Sequence, residues 1–172
     1  MKRPLPFLLI CLVVFMWGCF HPISKSVRKE IDHGVTFADL RQNPEACIGK
    51  VVLVGGDIIA IVNQQEGTLL EVLQKRLDSW QRPCEEDASQ GRFLVIVSTF
   101  LDPAIYRQGR EITVAGEVTG KKVQRLGDID YLYPVVHAKE LYLWPEYQEP
   151  VYYPYPVWYY WDMYYFPYWP RR

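Results

Sequence analysis

The sequence predicts an all-β domain, a small five-stranded barrel with a short helix, and three observations point there. Between Gly49 and Trp144 the β-branched and apolar residues fall into five runs, separated by polar or turn-forming stretches. The first run carries Gly55-Gly56 at its middle, where a strand can bend sharply enough to serve two sides of a barrel. Between the third and fourth runs, an Asp102-Pro103 start and a Gly109 stop fit one short helical turn. The chain has 172 residues, a one-domain length once targeting segments are set aside, and nearly half are hydrophobic.

The elements follow in order. The opening stretch MKRPLPFLLICLVVFMWGC has a basic start (Lys2, Arg3), an apolar run from Leu5 to Trp17, and Gly18-Cys19 behind it. A spanning helix needs roughly 20 apolar residues, so this shorter run reads as a signal peptide, residues 1–18. Met16-Trp17-Gly18-Cys19 resembles a bacterial lipobox, with cleavage between Gly18 and Cys19 and lipidation of the Cys19 thiol. Gly18 suits the cleaved bond, while Trp17 is bulky and atypical there. The plainer alternative is an uncleaved anchor with an unrelated Cys19. Phe20, where an Asp would resemble an inner-membrane retention signal, favours the outer membrane. One acyl chain binds a bilayer marginally and two or more bind it stably, so the expected partner at this end is the membrane.

Residues 19–35 are polar and mixed in charge, without sustained periodicity, and read as a tether. Thr36 with Asp39 three positions on forms an approximate capping box for a short helix, which Asn43-Pro44 stops. KVVLVGGDIIAIVNQQ is the first strand and GTLLEVLQKRL the second, after a turn at Glu66-Gly67. The stretch from Asp78 to Gln90 is expected to be an exposed loop. RFLVIVSTF, REITVAGEVTGKKVQ with its central Gly116, and DYLYPVVHAKELYLW complete the set. Five strands, a glycine-bent first strand and a short helix between the third and fourth match a Greek-key barrel of the OB type, residues 36–145. An open β-sandwich of the same strands is the runner-up.

The last segment, residues 146–172, is rich in Tyr, Trp and Pro. Pro154, Pro156, Pro167 and Pro170 deny it a continuous helix or a central strand. Tyr and Trp join an apolar body to a polar tip, which suits a boundary between apolar and wet phases. Trp158, Trp161, Tyr164, Tyr165 and Trp169 are the candidate contacts, to a membrane interface, to the barrel itself or to a protein partner.

Chemistry-bearing patterns are sparse. The net charge is −1, and −3 once Lys2 and Arg3 leave with the signal, so no nucleic-acid partner is expected. Cys47 and Cys84 remain after the leader and Cys19 are accounted for; an oxidising envelope would let them pair, and two separate thiols are the equal alternative. His21, His33 and His137 have no metal-ligand spacing, and no metal or cofactor is expected. Glu85-Glu86-Asp87 reads as a solvated charge run. GEVTGK lacks both the spacing and the Ser or Thr of a phosphate loop. Asp102 and Tyr106 are explained by capping and packing. No nucleophile with a partnered base stands out, so an enzyme is not expected.

The stretches GKVVLVGGDIIAIVN, GTLLEVLQKRLDSWQRP, GRFLVIVSTFLDPAIYRQGREITVAGEVTG and YLYPVVHAKELYLW, with the leader, resemble the Slp family of outer membrane lipoproteins. The resemblance covers Phe37 to Trp144, and an aromatic, Pro-containing end suits it. It implies a lipid-anchored envelope protein tied to starvation or stress physiology, with no assigned catalysis and no catalytic residues. The expected role is structural or one of interaction; the alternative is an OB module binding peptide or oligosaccharide.

Overall fold

The computed structural model describes residues 21–146. Two short helices, α1 (Lys25–Arg28) and α2 (Phe37–Gln42), and a 3₁₀ turn (Pro44–Cys47) precede five strands. These are β1 (Val51–Gln64), β2 (Gly67–Gln74), β3 (Arg92–Val97), β4 (Glu111–Leu126) and β5 (Ile129–Leu143). They close into a barrel in the order β1-β2-β3-β5-β4. Every ladder is antiparallel except β3 with β5, where Leu94, Val95 and Ile96 pair in parallel with Val135, Val136 and His137. That order and that single parallel seam define an OB-type barrel, and the sandwich alternative falls away.

β1 earns its double role at the glycine pair. It pairs with β4 through Val51 to Asp57 and with β2 from Gly56 onward, so the strand changes partners where it bends. A Cβ on Gly56 would stand 1.8 Å from the Leu73 carbonyl oxygen, so the two backbones touch only because no side chain intervenes. Alternation does the rest. Val52, Val54 and Ile58, Leu70 and Val72, Phe93 and Val95, Ile112 and Val114, Val118 and Val136 all turn inward to one core.

One end of that core is closed by α2. Thr36 Oγ1 accepts from the Asp39 amide at 3.3 Å, and Asp39 Oδ2 accepts from the Thr36 amide at 2.9 Å, the capping box expected there. The helix sets Phe37 and Leu40 under the barrel, with Phe37 edge-on to Phe93 at 5.7 Å. The one short helical turn expected between β3 and β4 is present: the amides of Ile105 and Tyr106 both donate to Asp102 O, and nothing longer propagates. So short a segment cannot offset the cost of nucleating a helix. The lid of the barrel therefore comes from upstream of β1.

Candidate functional site

The outer face of β1, β4 and β5 is where the structure departs most from the expectation of a free tether. Ile23 and Ile31 are buried there against Val51 and Ala115, with Val27, Leu53 and Tyr142 around them. Ile31 bridges Val51, the Asp32 amide donates to Val51 O at 2.8 Å, and the Ser24 amide donates to Glu140 Oε2 at 2.9 Å. Ile23 lies before α1, Val27 on it and Ile31 beyond it as a bridge residue, and all three apolar side chains pack on the sheet. Glu30 pairs with Lys139 at 2.7 Å, which raises the lysine above its ordinary value.

A second segment covers the same face. Residues 77–83 fold back as a small hairpin, Leu77 bridging Pro83. Leu77 fits over Gly55, whose missing side chain leaves the room. Asp78 Oδ1 accepts from the amides of Trp80 and Arg82, and Gln81 takes a left-handed φ of 66°. That geometry aims Gln81 O at buried Thr113, whose Oγ1 donates to it at 2.6 Å and accepts from Trp144 Nε1 at 2.9 Å. Arg82 lies 5.5 Å over the Trp144 ring and pairs with Glu111 at 2.7 Å. Trp80, on the other side of the turn, stays 56 % exposed. The loop expected to be solvated throughout is thus partly a cover, because Trp144 needs one.

Beside Trp144 opens a cleft of about 460 Å³ in which charges of both signs face one another. Asp57 pairs with Lys75 at 2.9 Å, yet Asp57 Oδ1 and Arg110 Nε, both on the cleft wall, are buried without a hydrogen-bond partner. The cleft lining of Asp57, Lys75, Arg82 and Glu111 still carries both acceptors and donors, as an amide or a sugar hydroxyl would need. Across the barrel, Glu71 is held by Arg92 at 2.7 Å and by the Tyr133 hydroxyl at 3.1 Å. Burial, then the Glu71 charge, pushes the Tyr133 phenol up.

The other sequence candidates separate. Cys47 and Cys84 are both free thiols, which corrects the possible bond: Cys47 is buried in the 3₁₀ turn under the core, while Cys84 lies in the β2–β3 loop with its amide on Arg76 O. Of the charge run, Glu86 pairs with Arg76 at 2.5 Å, which lowers its pKa. GEVTGK is part of β4. Among the described residues, no group of three or more His, Cys, Asp or Glu could hold a metal. His137 meets Ser98 at 3.1 Å, a pair that sequence spacing could not reveal because only the parallel β3–β5 seam brings them together. The pair is exposed, and a hydroxyl–imidazole nucleophile needs a third group to orient its base. Gly18, Cys19 and the tail candidates Trp158, Trp161, Tyr164, Tyr165 and Trp169 lie outside the described residues.

A small OB-type barrel with its outer face covered by its own N-terminal segment is the class of molecule this geometry defines. The profile of the outer membrane lipoprotein Slp family matches residues 16–171, and the chain belongs to that family. Among relatives it is 34 % identical over 119 residues to the uncharacterised lipoprotein YeaY of Escherichia coli K12, covering 68 % of this chain and 61 % of that one, under two thirds of its length. It is 28 % identical over 138 residues to the outer membrane protein Slp of the same organism, covering 79 % and 73 %. An uncharacterised protein of Haemophilus influenzae is 30 % identical over 145 residues, covering 84 % and 78 %. A solved single-stranded DNA-binding protein from Streptomyces coelicolor aligns with a TM-score of 0.34 and 11 % identity, over 54 % of this chain and 92 % of that one. The protein is an outer membrane lipoprotein of the bacterial envelope.

Proposed function

We propose that this lipoprotein is a non-enzymatic envelope component, anchored by lipid on Cys19, whose barrel acts structurally or as an interaction module under starvation or stress. The observation that carries the reading is the packing of Ile23 and Ile31 onto the barrel: a folded body begins four positions after Cys19. Such a body is held close to its anchor rather than let out on a long leash. The carboxylates at the Trp144 cleft support it too, since Asp57 and Glu111 are matched with Lys75 and Arg82 rather than with each other. The aromatic tail supplies a second attachment, to the membrane interface, through Trp158, Trp161, Tyr164, Tyr165 and Trp169. The test is fractionation of Cys19→Ser beside the wild type, with mass analysis of the N-terminal peptide. A lipid mass on wild-type Cys19 and weaker, tail-only retention of the variant in the outer membrane are expected; an unmodified wild-type Cys19 ends the reading.

A second reading rests on the Trp144 cleft itself, whose lining of Asp57, Lys75, Arg110 and Glu111 offers acceptors and donors to a peptide or an oligosaccharide. Amide chemical shifts of the full chain, titrated with short peptides and soluble oligosaccharides, should then move at Asp57, Lys75 and Arg110. Shifts absent there, or unchanged in Asp57→Ala, remove it.

A further inference from the structure

The docked N-terminal segment also fixes an orientation. Ile23 is 1 % exposed, packed on the outer face of β4 at Ala115, and Cys19 stands only four positions earlier. Four fully extended residues reach about 14 Å, whereas a small domain is about 30 Å across. A lipid on Cys19 therefore cannot let the barrel rest on its β2–β3 side, which lies across the ring of strands from β4. The outer face of β1, β4 and β5 has to lie near the bilayer.

That face is furnished for such a position. Thr113 and Ala115, two residues apart on β4, support the Trp80 turn and the Ile23 segment respectively, so the two lie about 7 Å apart along the strand. Trp80 is 56 % exposed at the tip of a turn already fixed by Asp78, so seating its ring orders no loop. Trp at a membrane–water boundary keeps its body in the apolar layer and its N–H in the wet one. Lys25, Arg28 and Lys29 stand on and just after α1 with Lys139 beside them, against Glu30, which pairs with Lys139, and Glu140, which keeps its charge while accepting from the Ser24 amide. The patch is left with a surplus of cations for anionic headgroups.

The geometry points to the outer β1–β4–β5 face as the surface this lipoprotein lays on the bilayer, with Trp80 seated in the interface and the α1 cations against anionic lipid. This rests on Cys19 carrying the lipid. The test uses the full lipidated chain in phosphatidylethanolamine–phosphatidylglycerol vesicles, in a Cys84→Ser background, Cys47 being buried. A fluorophore is placed by Trp80→Cys, by Ser26→Cys or, at the exposed outer end of β3, by Ser98→Cys, and quenched by lipids spin-labelled near the headgroup. Quenching at 80 and 26 at least threefold stronger than at 98 is expected. Vesicle-bound protein with equal quenching, or stronger quenching at 98, overturns the orientation and leaves the anchor standing. Failure to float with vesicles overturns both. Amide exchange of the unsubstituted protein gives an independent check: the 78–82 turn should gain at least threefold protection on vesicles relative to detergent, and no gain counts against the face.

Discussion

Thr113 shows how much one side chain can hold in this barrel. It is a fully buried hydroxyl that joins the β2–β3 loop, through Gln81 O, to Trp144 at the end of β5. Replacing it with Val keeps the shape and removes both bonds, so Thr113→Val should cost about 2–3 kcal/mol in urea unfolding. It should also raise the proteolytic sensitivity of residues 78–85; an unchanged midpoint would show the loop is held by other contacts. Gly56 is the opposite case, a residue whose value is what it lacks. Gly56→Ala puts a methyl into the Leu73 carbonyl, and overpacking of that kind costs about 1–3 kcal/mol. A stability equal to wild type would mean the β1–β2 ladder gives way more easily than its register suggests. The left-handed Gln81, at φ 66°, is a strained choice for a non-glycine residue, repaid by the hydrogen bond it delivers to Thr113.

Among the elements, the N-terminal segment is the one that behaves as a separable part. It joins the barrel through Ile23 and Ile31, so Ile23→Ala should cost about 2–4 kcal/mol of local stability. Trypsin would then cut at Lys25 and Arg28 well before the barrel opens, and uncut variant protein would disprove the dependence. The α2 cap is a smaller contribution: Thr36→Ala should lower stability by about 1 kcal/mol. These two elements also measure what the sequence discloses. The capping box was legible because its signal is local, Thr36 and Asp39 three apart. So were the strands and the Gly55-Gly56 bend, since alternation and glycine placement report directly on the pleat. Ile23, Val27 and Ile31 repeat every fourth residue, but among charged neighbours such a sparse stripe looks like a tether. Only the receiving face, built from β1, β4 and β5, gives it meaning. The Trp144 cleft and the Ser98–His137 pair were illegible for the same reason, being assembled from strands far apart in the chain. The free state of Cys47 and Cys84 likewise depends on which side of the barrel each element takes.

At the scale of the whole molecule, charge pairing sets the response to pH. Asp32 is held low by the Gly34 amide, Asp39 by Thr36, Glu45 by Lys121 and Glu86 by Arg76, from ordinary values of 3.8 for Asp and 4.5 for Glu. A carboxylate depressed in the folded state stabilises it above the unfolded value, and that contribution is lost as pH falls through the folded value. The unfolding midpoint should therefore be flat around neutrality and decline from about pH 4.5 downward. The decline should be shallow and salt-sensitive because these groups are exposed; a midpoint that rises on acidification would contradict the pairing. Closure of the molecule has a further consequence. The β4–β5 ladder runs from Ile112 with Leu143 to Leu126 with Ile129, while the parallel β3–β5 ladder has only the pairs at Leu94, Val95 and Ile96. Ladders of such unequal length do not part together. The first rupture of this ring falls at the short seam, turning a closed cylinder into an open sheet with β3 as a bare margin. Such a margin is a template for a strand from a second copy, so mishandling in the envelope would pass through strand exchange at Leu94–Ile96 long before the hydrophobic interior is lost.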